Sequence, residues 1–160
     1  MKKRVYLFVA LCLLTLTGLI PTQAFAQNAV FGKYSDMEDV EYICITKWML
    51  RHLKGADNSV TINGVKVQGL SNAIDVILII NSENRKVGEQ MKNDFNTLKS
   101  DDNYKTLMVV KDNDSQVSTI FNDRQKTKEL VMFINDDDEQ TFIVLTGDLS
   151  DEMIEKLITQ

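Results

Sequence analysis

Apolar residues along this chain recur mainly in short runs typical of strands, and two stretches show a helical period instead. The longer helical stretch has its apolar residues at spacings of four, four and three: Val87, Met91, Phe95 and Leu98. That spacing predicts an amphipathic helix, with Ser82 as the residue that caps its N-terminus. Ser150 is expected to cap a final helix, whose apolar positions are Met153, Ile154, Leu157 and Ile158.

The first half of the chain contains several strand signals. Residues 40–46 are β-branched and aromatic, which predicts a strand with both faces covered, and residues 47–53 switch to helix formers. The Asn63-Gly64 dipeptide lies between alternating apolar residues, which predicts a hairpin with a type I′ turn. The nearly unbroken apolar run at residues 74–80 predicts another strand.

Four further strands are predicted in the second half, because short apolar segments alternate there with turns rich in Asp, Asn and Lys. These segments are Tyr104–Lys111 and residues 116–122, 129–135 and 140–146. Four short strands joined by such turns predict an antiparallel meander. The whole order of elements predicts an α+β fold: one domain with a largely antiparallel sheet, a C-terminal four-strand meander and two or three packing helices.

Two of these segments indicate that both faces of the sheet are covered. Residues 130–134 and 142–145 are uninterrupted apolar runs, whereas a strand with one solvated face alternates apolar and polar residues. Helices of the same chain are one explanation for the covering. A partner chain or an identical subunit is the other.

The first 26 residues have the three parts of an export signal. An apolar run at residues 5–20 is followed by a small–x–small cleavage site at Ala24 and Ala26. The basic residues that precede the run are Lys2, Lys3 and Arg4. This pattern predicts a cleavable signal peptide over residues 1–26, with Gln27 as the first residue of the mature chain.

Two other interpretations of the N-terminus are less favoured. A retained membrane anchor needs about 18 apolar residues, and this run is shorter and is closed by Pro21. Lipid attachment would use Cys12, but Leu11 precedes it where lipoprotein processing needs a small side chain. We therefore expect an exported protein, periplasmic or secreted rather than lipid-anchored, with no membrane span after cleavage.

Composition limits the function of the mature chain, residues 27–160. Cleavage changes the formal net charge from −5 to −8, because three basic residues and no acidic residue are removed. This charge argues against nucleic acid and anionic membrane surfaces as partners, since a protein that binds either one needs clustered Lys and Arg. Cys44 becomes the only thiol, so an intramolecular disulfide is excluded. Residues 27–36 have no apolar period and are expected to be a surface lead-in or a frayed terminus.

The sequence contains few combinations of residues that could carry catalysis. Cys44 and His52 could form a nucleophilic pair, but a cysteine within an apolar strand is usually an inert core residue. One histidine excludes zinc motifs that need two. There is no Gly-x-Ser-x-Gly elbow and no glycine-rich phosphate loop. We assign no catalytic residue, no cofactor and no metal ligand.

Two acidic turns are candidate cation sites. Residues 112–116 begin like a calcium-binding loop, but Val117 stands where the loop needs Gly and Asp123 stands where it needs Glu. A solvated turn is the preferred interpretation. Residues 136–139 form a second acidic cluster, which could bind a divalent cation weakly or be a solvated turn.

The bulky trio Trp48, Met49 and Leu50 on the short helix is the candidate site for docking another protein. A division of the trio between core and surface is the alternative. Our preferred function is a non-catalytic exported module that binds an envelope protein or forms a homo-oligomer. The alternative function is a carboxylate-based hydrolase or a small-ligand binder with acidic residues in a cleft.

Several segments together resemble one bacterial family. They are the export signal, residues 40–50, Tyr104–Lys111 and residues 145–149. This combination resembles the domain of unknown function 4252 family, which consists of small exported proteins, many of them with lipoprotein features. The resemblance implies the fold and the compartment of the chain, and it transfers no site residue. The present chain departs from the lipoprotein members because it lacks a well-placed lipobox.

Overall fold

The computed structural model describes residues 29–52, 59–62, 65–68, 72–124 and 127–158. The predicted signal peptide, its cleavage site and the Asn63-Gly64 turn lie outside these ranges. The chain divides into two compact units, Met1–Lys33 and Tyr34–Gln160, and each is described by itself. The described part of the first unit contains the short helix α1, Ala29–Gly32. A 3₁₀ turn spans Lys33–Asp36.

The second unit is built on a six-stranded antiparallel sheet with the strand order β1-β4-β8-β7-β6-β5. The strands of this sheet are β1 (Glu41–Thr46), β4 (Ile74–Ser82), β5 (Tyr104–Lys111), β6 (Ser115–Asn122), β7 (Lys128–Asp136) and β8 (Gln140–Gly147). A separate hairpin consists of β2 (Ser59–Ile62) and β3 (Val65–Gln68). The predicted α+β class, the antiparallel sheet and the C-terminal meander from β5 to β8 are confirmed.

Three helices of this unit are α2 (Lys47–His52), α3 (Arg85–Lys99) and α4 (Asp151–Ile158). The expected cap of α3 was wrong by two residues. Ser82 is the last residue of β4, and Asn84 caps the helix because its side-chain oxygen accepts hydrogen bonds from the backbone N–H groups of Lys86 and Val87. None of the described helices is long and apolar enough to span a membrane.

The sheet is covered on both faces by helices of the same chain. On one face, Phe95 of α3 stacks on Phe133 of β7 with ring centroids 5.0 Å apart. On the other face, Leu50 of α2 and Leu157 of α4 belong to one buried cluster with Leu130 of β7. Phe133 and Leu130 are three residues apart in one strand and therefore point to opposite faces. This arrangement explains the unbroken apolar runs in β7 and β8.

Two expectations about the beginning of the domain were wrong. Strand β1 lies at the edge of the sheet, so its faces are only partly covered: Ile43 is exposed and Cys44 is half-buried. The expected surface lead-in contains Tyr34, which is fully buried and donates a hydrogen bond from its hydroxyl to Oδ2 of Asp94 on α3. An isolated aromatic residue in a polar stretch has no period that could reveal its burial.

Candidate functional site

The position of α2 follows directly from the sequence around it. Strand β1 ends at Thr46 and α2 begins at the next residue, so the helix leaves the edge of the sheet without a loop. Leu50 is 2% exposed and anchors α2 in the core. Lys47 Nζ contacts Asp75 Oδ1 of β4 at 2.6 Å, but both side chains are partly exposed and the pair contributes little to stability. Burial of Leu50 therefore fixes α2.

The candidate trio is divided between core and surface. Trp48 is 69% exposed and Met49 is 40% exposed, whereas Leu50 is buried. Because Leu50 is inaccessible, only Trp48 and Met49 can contact another molecule in this structure. We call these two residues, together with the exposed Arg51 beside them, the α2 surface.

Trp48 makes two contacts with His52, one turn further along α2. The two rings stack with their centroids 4.2 Å apart and an interplanar angle of 28°. His52 Nδ1 lies 2.7 Å from the carbonyl oxygen of Trp48. A carbonyl oxygen only accepts hydrogen bonds, so Nδ1 of His52 carries the proton. The stack holds the indole ring against the helix surface.

The electrostatic character of α2 differs from that of the chain as a whole. The helix carries Lys47, Arg51 and His52 and contains no acidic residue. The full chain has a net charge of −5. The α2 surface is therefore an aromatic and basic area on an acidic protein.

Cys44 and His52 are not brought together as a nucleophilic pair. Cys44 alternates along β1 with Ile45, which packs against the cluster that contains Leu50, so the thiol points to the opposite face of the sheet from α2. Burial raises the pKa of the Cys44 thiol and thus disfavours the reactive thiolate. The Nδ1 atom of His52 is already directed at the carbonyl oxygen of Trp48.

Two polar clefts meet at Glu83, between β4 and α3. The first has a volume of about 450 Å³ and is lined by Asp39, Glu41, Asn81, Ser82, Glu83 and Asn84. The second has a volume of about 610 Å³ and lies between the beginning of α3 and the turn from β7 to β8. Acidic residues 136–138 belong to the lining of the second cleft. These clefts are where a carboxylate-based site would lie.

The polar groups of the first cleft bond mainly with one another. Ser82 Oγ donates to the carbonyl oxygen of Asp39 at 2.7 Å, and Asn84 Nδ2 donates to Asp39 Oδ2 at 2.9 Å. Asp39 has a φ of 62°, an unusual conformation for a residue other than glycine. These bonds hold the segment before β1 against the beginning of α3. These structural hydrogen bonds explain why polar residues line the first cleft.

Both acidic turns are closed by backbone hydrogen bonds. Asp112 N–H donates to the carbonyl oxygen of Ser115 at 2.9 Å, and Asp136 N–H donates to that of Glu139 at 3.0 Å. Within the part of the chain that the structure describes, no group of three or more His, Cys, Asp or Glu residues is arranged to hold a metal ion. Among the described residues, the groups with raised pKa values are Tyr34, Tyr42, Cys44 and Tyr104, and none of these four lines either cleft.

Sequence reasoning missed one exposed apolar area altogether. Leu107, Val109 and Val110 of β5 are exposed, because β5 forms the second edge of the sheet. The run from Leu107 to Val110 predicted a strand correctly. Whether a strand lies at an edge depends on tertiary pairing, so no local signal could have identified it.

Fold and site together define an α+β protein in which Trp48, the most exposed aromatic residue of the part that the structure describes, lies on a short helix at one edge of an antiparallel sheet. A family model described as a domain of unknown function (DUF4252) matches residues 34–157. The chain belongs to this family, which confirms the resemblance seen in the sequence. No curated protein and no solved structure gives a significant match to the chain.

Proposed function

We propose that this protein is a non-catalytic, exported module that binds another protein of the cell envelope through the α2 surface. The observation that carries the proposal is the 69% exposure of Trp48 on a helix that is anchored in the core. Tryptophan is enriched among the residues that dominate binding energy at protein interfaces. Its exposure on a well-supported helix is what a docking residue requires.

The rigidity of the α2 surface also supports docking. Leu50 holds α2 on the sheet, and the stack with His52 restrains the Trp48 ring. A side chain that is already oriented loses less conformational entropy when a partner binds it. Met49 lies next to Trp48 and is unbranched and adaptable, so it can fit an irregular partner surface.

The charges around Trp48 indicate the chemistry of the partner. The guanidinium of Arg51 lies beside the exposed Trp48 and Met49, whereas the chain as a whole carries a net charge of −5. A complementary partner therefore has an apolar pocket for the indole ring and acidic residues at the rim of that pocket. Such charge complementarity speeds encounter and selects the correct orientation of the partner.

The compartment in this proposal depends on the predicted signal peptide. The basic start, the apolar run and the small residues before Gln27 have the composition of a cleaved export signal. Export would bring the α2 surface into contact with envelope or extracellular proteins. The resemblance to a family of small exported proteins supports the same compartment.

Site-specific photocrosslinking in the native cell tests the proposal. A benzophenone amino acid replaces Arg51 on the α2 surface or, as a matched control, Asn93 on the exposed side of α3. We expect one crosslinked species from position 51, absent from position 93 and lost when Trp48→Ala and Met49→Ala are added. Equal crosslinking at both positions, or none at position 51, would contradict a docking role for α2.

The alternative, a carboxylate-based hydrolase or small-ligand binder, would use the clefts beside Glu83. The hydrogen bonds that join Asp39, Ser82 and Asn84 already occupy polar groups of the first cleft. We therefore favour the binding module. The crosslinking experiment separates the two functions, because cleft chemistry does not depend on Trp48 or Met49.

A further inference from the structure

The edge strand β5 presents apolar side chains on both of its sides. Val109 is 50% exposed and Val110 is 53% exposed. Successive residues of a strand point to opposite faces of the sheet, so these two valines lie on different faces. A helix placed on one face would cover only one of them. An added strand would flank both, and its backbone would pair with the open edge of β5.

Strand β1 forms the other edge of the same sheet and also carries an exposed apolar residue, Ile43. Neighbouring strands are antiparallel throughout the order β1-β4-β8-β7-β6-β5. Five successive reversals make β1 antiparallel to β5. A second copy shifted sideways therefore offers its β1 to β5 in the antiparallel direction, so the alternation of the sheet continues.

We propose that copies of this chain associate head to tail, with β1 of one copy added as a seventh strand beside β5 of the next. This inference goes beyond the proposed docking function and does not use the α2 surface. A head-to-tail contact uses two different surfaces on each copy. It therefore forms an open chain of subunits rather than a closed dimer, unless rotation between copies closes a ring.

One register between the two edges continues the rows of paired positions that cross the sheet, and we take it as the register of the proposed contact. One row of paired positions crosses all six strands in the order Ile43, Ile79, Ile143, Met132, Thr119 and Met108. Two positions further along, the row on the same face is, in the same strand order, Glu41, Asn81, Thr141, Ile134, Val117 and Val110. Continuing both rows into the next copy places Ile43 of that copy opposite Met108 and Glu41 opposite Val110.

Charge favours this pairing over one between two β5 strands. Antiparallel pairing brings Glu41 of the second copy to the end of β5 that carries Lys111. If two β5 strands paired, all the charged residues that they bring to the shared edge would be lysines, Lys105 and Lys111 of each copy. Like charges across paired strands are destabilising.

Two features of β5 normally protect an edge strand, namely its lysines and a bulge. Lys105 is neutralised in part by Asp123, whose Oδ2 lies 2.7 Å from the Lys105 ammonium nitrogen. The bulge falls between Thr106 and Met108, and pairing with β6 is regular from Met108 to Lys111. The regular part of β5 is therefore the part available to a new strand.

A mixing experiment tests the head-to-tail contact. Val110→Glu blocks the β5 edge, because it places a carboxylate opposite Glu41 of the next copy. Ile43→Lys blocks the β1 edge, and Asn93→Lys adds a charge on the exposed side of α3 as a control. In analytical ultracentrifugation of the exported protein, we expect wild type and the Asn93→Lys control to grow beyond dimers with concentration. Each edge variant alone should be monomeric. An equimolar mixture of the two should form a one-to-one dimer, because each variant retains one intact edge.

Disulfide capture provides a second measurement that does not depend on how the charged edge variants fold. Glu41→Cys with Val110→Cys, in a Cys44→Ser background and with oxidised glutathione as oxidant, should give a ladder of covalent oligomers. Neither single cysteine variant should form one. A monomeric wild type at high concentration, a mixture that stays monomeric, or covalent dimers from Val110→Cys alone would overturn the proposal.

Discussion

The indole ring of Trp48 stacks on the imidazole ring of His52, with centroids 4.2 Å apart, on the exposed side of α2. The intervening Leu50 points the other way and is buried in the core. One short helix therefore combines an anchored side with an oriented aromatic side. This relationship is the basis of the docking function that we propose.

The division of α2 into two sides predicts that two neighbouring substitutions have very different effects on stability. Leu50→Ala should lower the free energy of unfolding by about 2–5 kcal/mol, because it removes a buried side chain and leaves a cavity. Met49→Ala should change it by less than about 0.5 kcal/mol, as expected for an exposed position. Urea unfolding followed by circular dichroism measures both. Comparable losses from the two variants would mean that α2 is oriented differently.

Gly147, the last residue of β8, is expected to tolerate no side chain. Its φ is +156°, and a Cβ atom would lie 2.0 Å from the carbonyl oxygen of Ala73. Gly147→Ala should therefore lower the free energy of unfolding by about 2 kcal/mol or more. Urea unfolding of the variant provides the measurement.

Gly88 on α3 provides the matched control for Gly147. A Cβ atom there meets the flexible end of Gln140, 1.7 Å from Oε1, rather than backbone. Gln140 can rotate away and give up its hydrogen bond to the Asp136 carbonyl oxygen, while alanine improves helix propensity by about 1 kcal/mol. Gly88→Ala should thus be nearly neutral. A larger loss at Gly88 than at Gly147 would refute this assignment.

The pKa shifts of the buried Tyr34 and the half-buried Tyr104 predict a loss of stability in alkali. Burial raises the pKa of Tyr34 and Tyr104 above the ordinary value near 10, and the neighbouring Asp94 and Glu129 raise them further. The folded protein thus keeps both hydroxyls neutral at pH values at which the tyrosines of the unfolded chain ionise. The two tyrosines therefore contribute fully to the free energy of unfolding below about pH 10, and this contribution is lost as the pH rises above that value.

Urea unfolding between pH 8 and pH 11.5 measures this effect. Tyr34→Phe and Tyr104→Phe should each lower stability at pH 8, because each removes a hydrogen bond to a carboxylate. Above pH 10 their stability should fall less steeply with pH than that of the wild type. Parallel curves for wild type and variants would show that neither tyrosine is responsible.

The predicted export is tested at the N-terminus of the mature protein. Cleavage after Ala26 should leave Gln27 as the first residue of protein recovered from the native cell envelope or medium. Mass spectrometry of the intact protein measures this directly. A chain that begins at a diacylated Cys12 would instead establish lipid anchoring, and an uncleaved chain would contradict signal removal.

The elements that the sequence predicted well are those with a strong local period. The spacing of Met91, Phe95 and Leu98 identified α3, because one face of a long helix must be apolar to pack. The cap of α3 was predicted two residues too early, because Ser82 and Asn84 are both good capping residues. Only the extension of β4 to Ser82 shows that Asn84 is the cap. The strand order depends on pairing between distant segments, so the edge positions of β1 and β5 had no local signal.

The candidate site was only partly predictable for a related reason. The trio Trp48, Met49 and Leu50 stands out by bulk alone, and a six-residue helix is too short for its period to show which residues face the core. The structure assigns Leu50 to the core and Trp48 and Met49 to the surface. The docking role of those two residues stays a prediction.

The affinity of the crosslinked partner, once purified, for wild type and for Trp48→Ala tests the central claim most directly. Isothermal titration calorimetry should show a loss of about 30-fold or more, since a dominant interface residue contributes about 2 kcal/mol or more. His52→Ala should weaken binding less, by about 2-fold to 10-fold, because it removes only the stack that orients Trp48. Unchanged affinity in Trp48→Ala, with the Asn93→Lys control also unchanged, would contradict docking through α2.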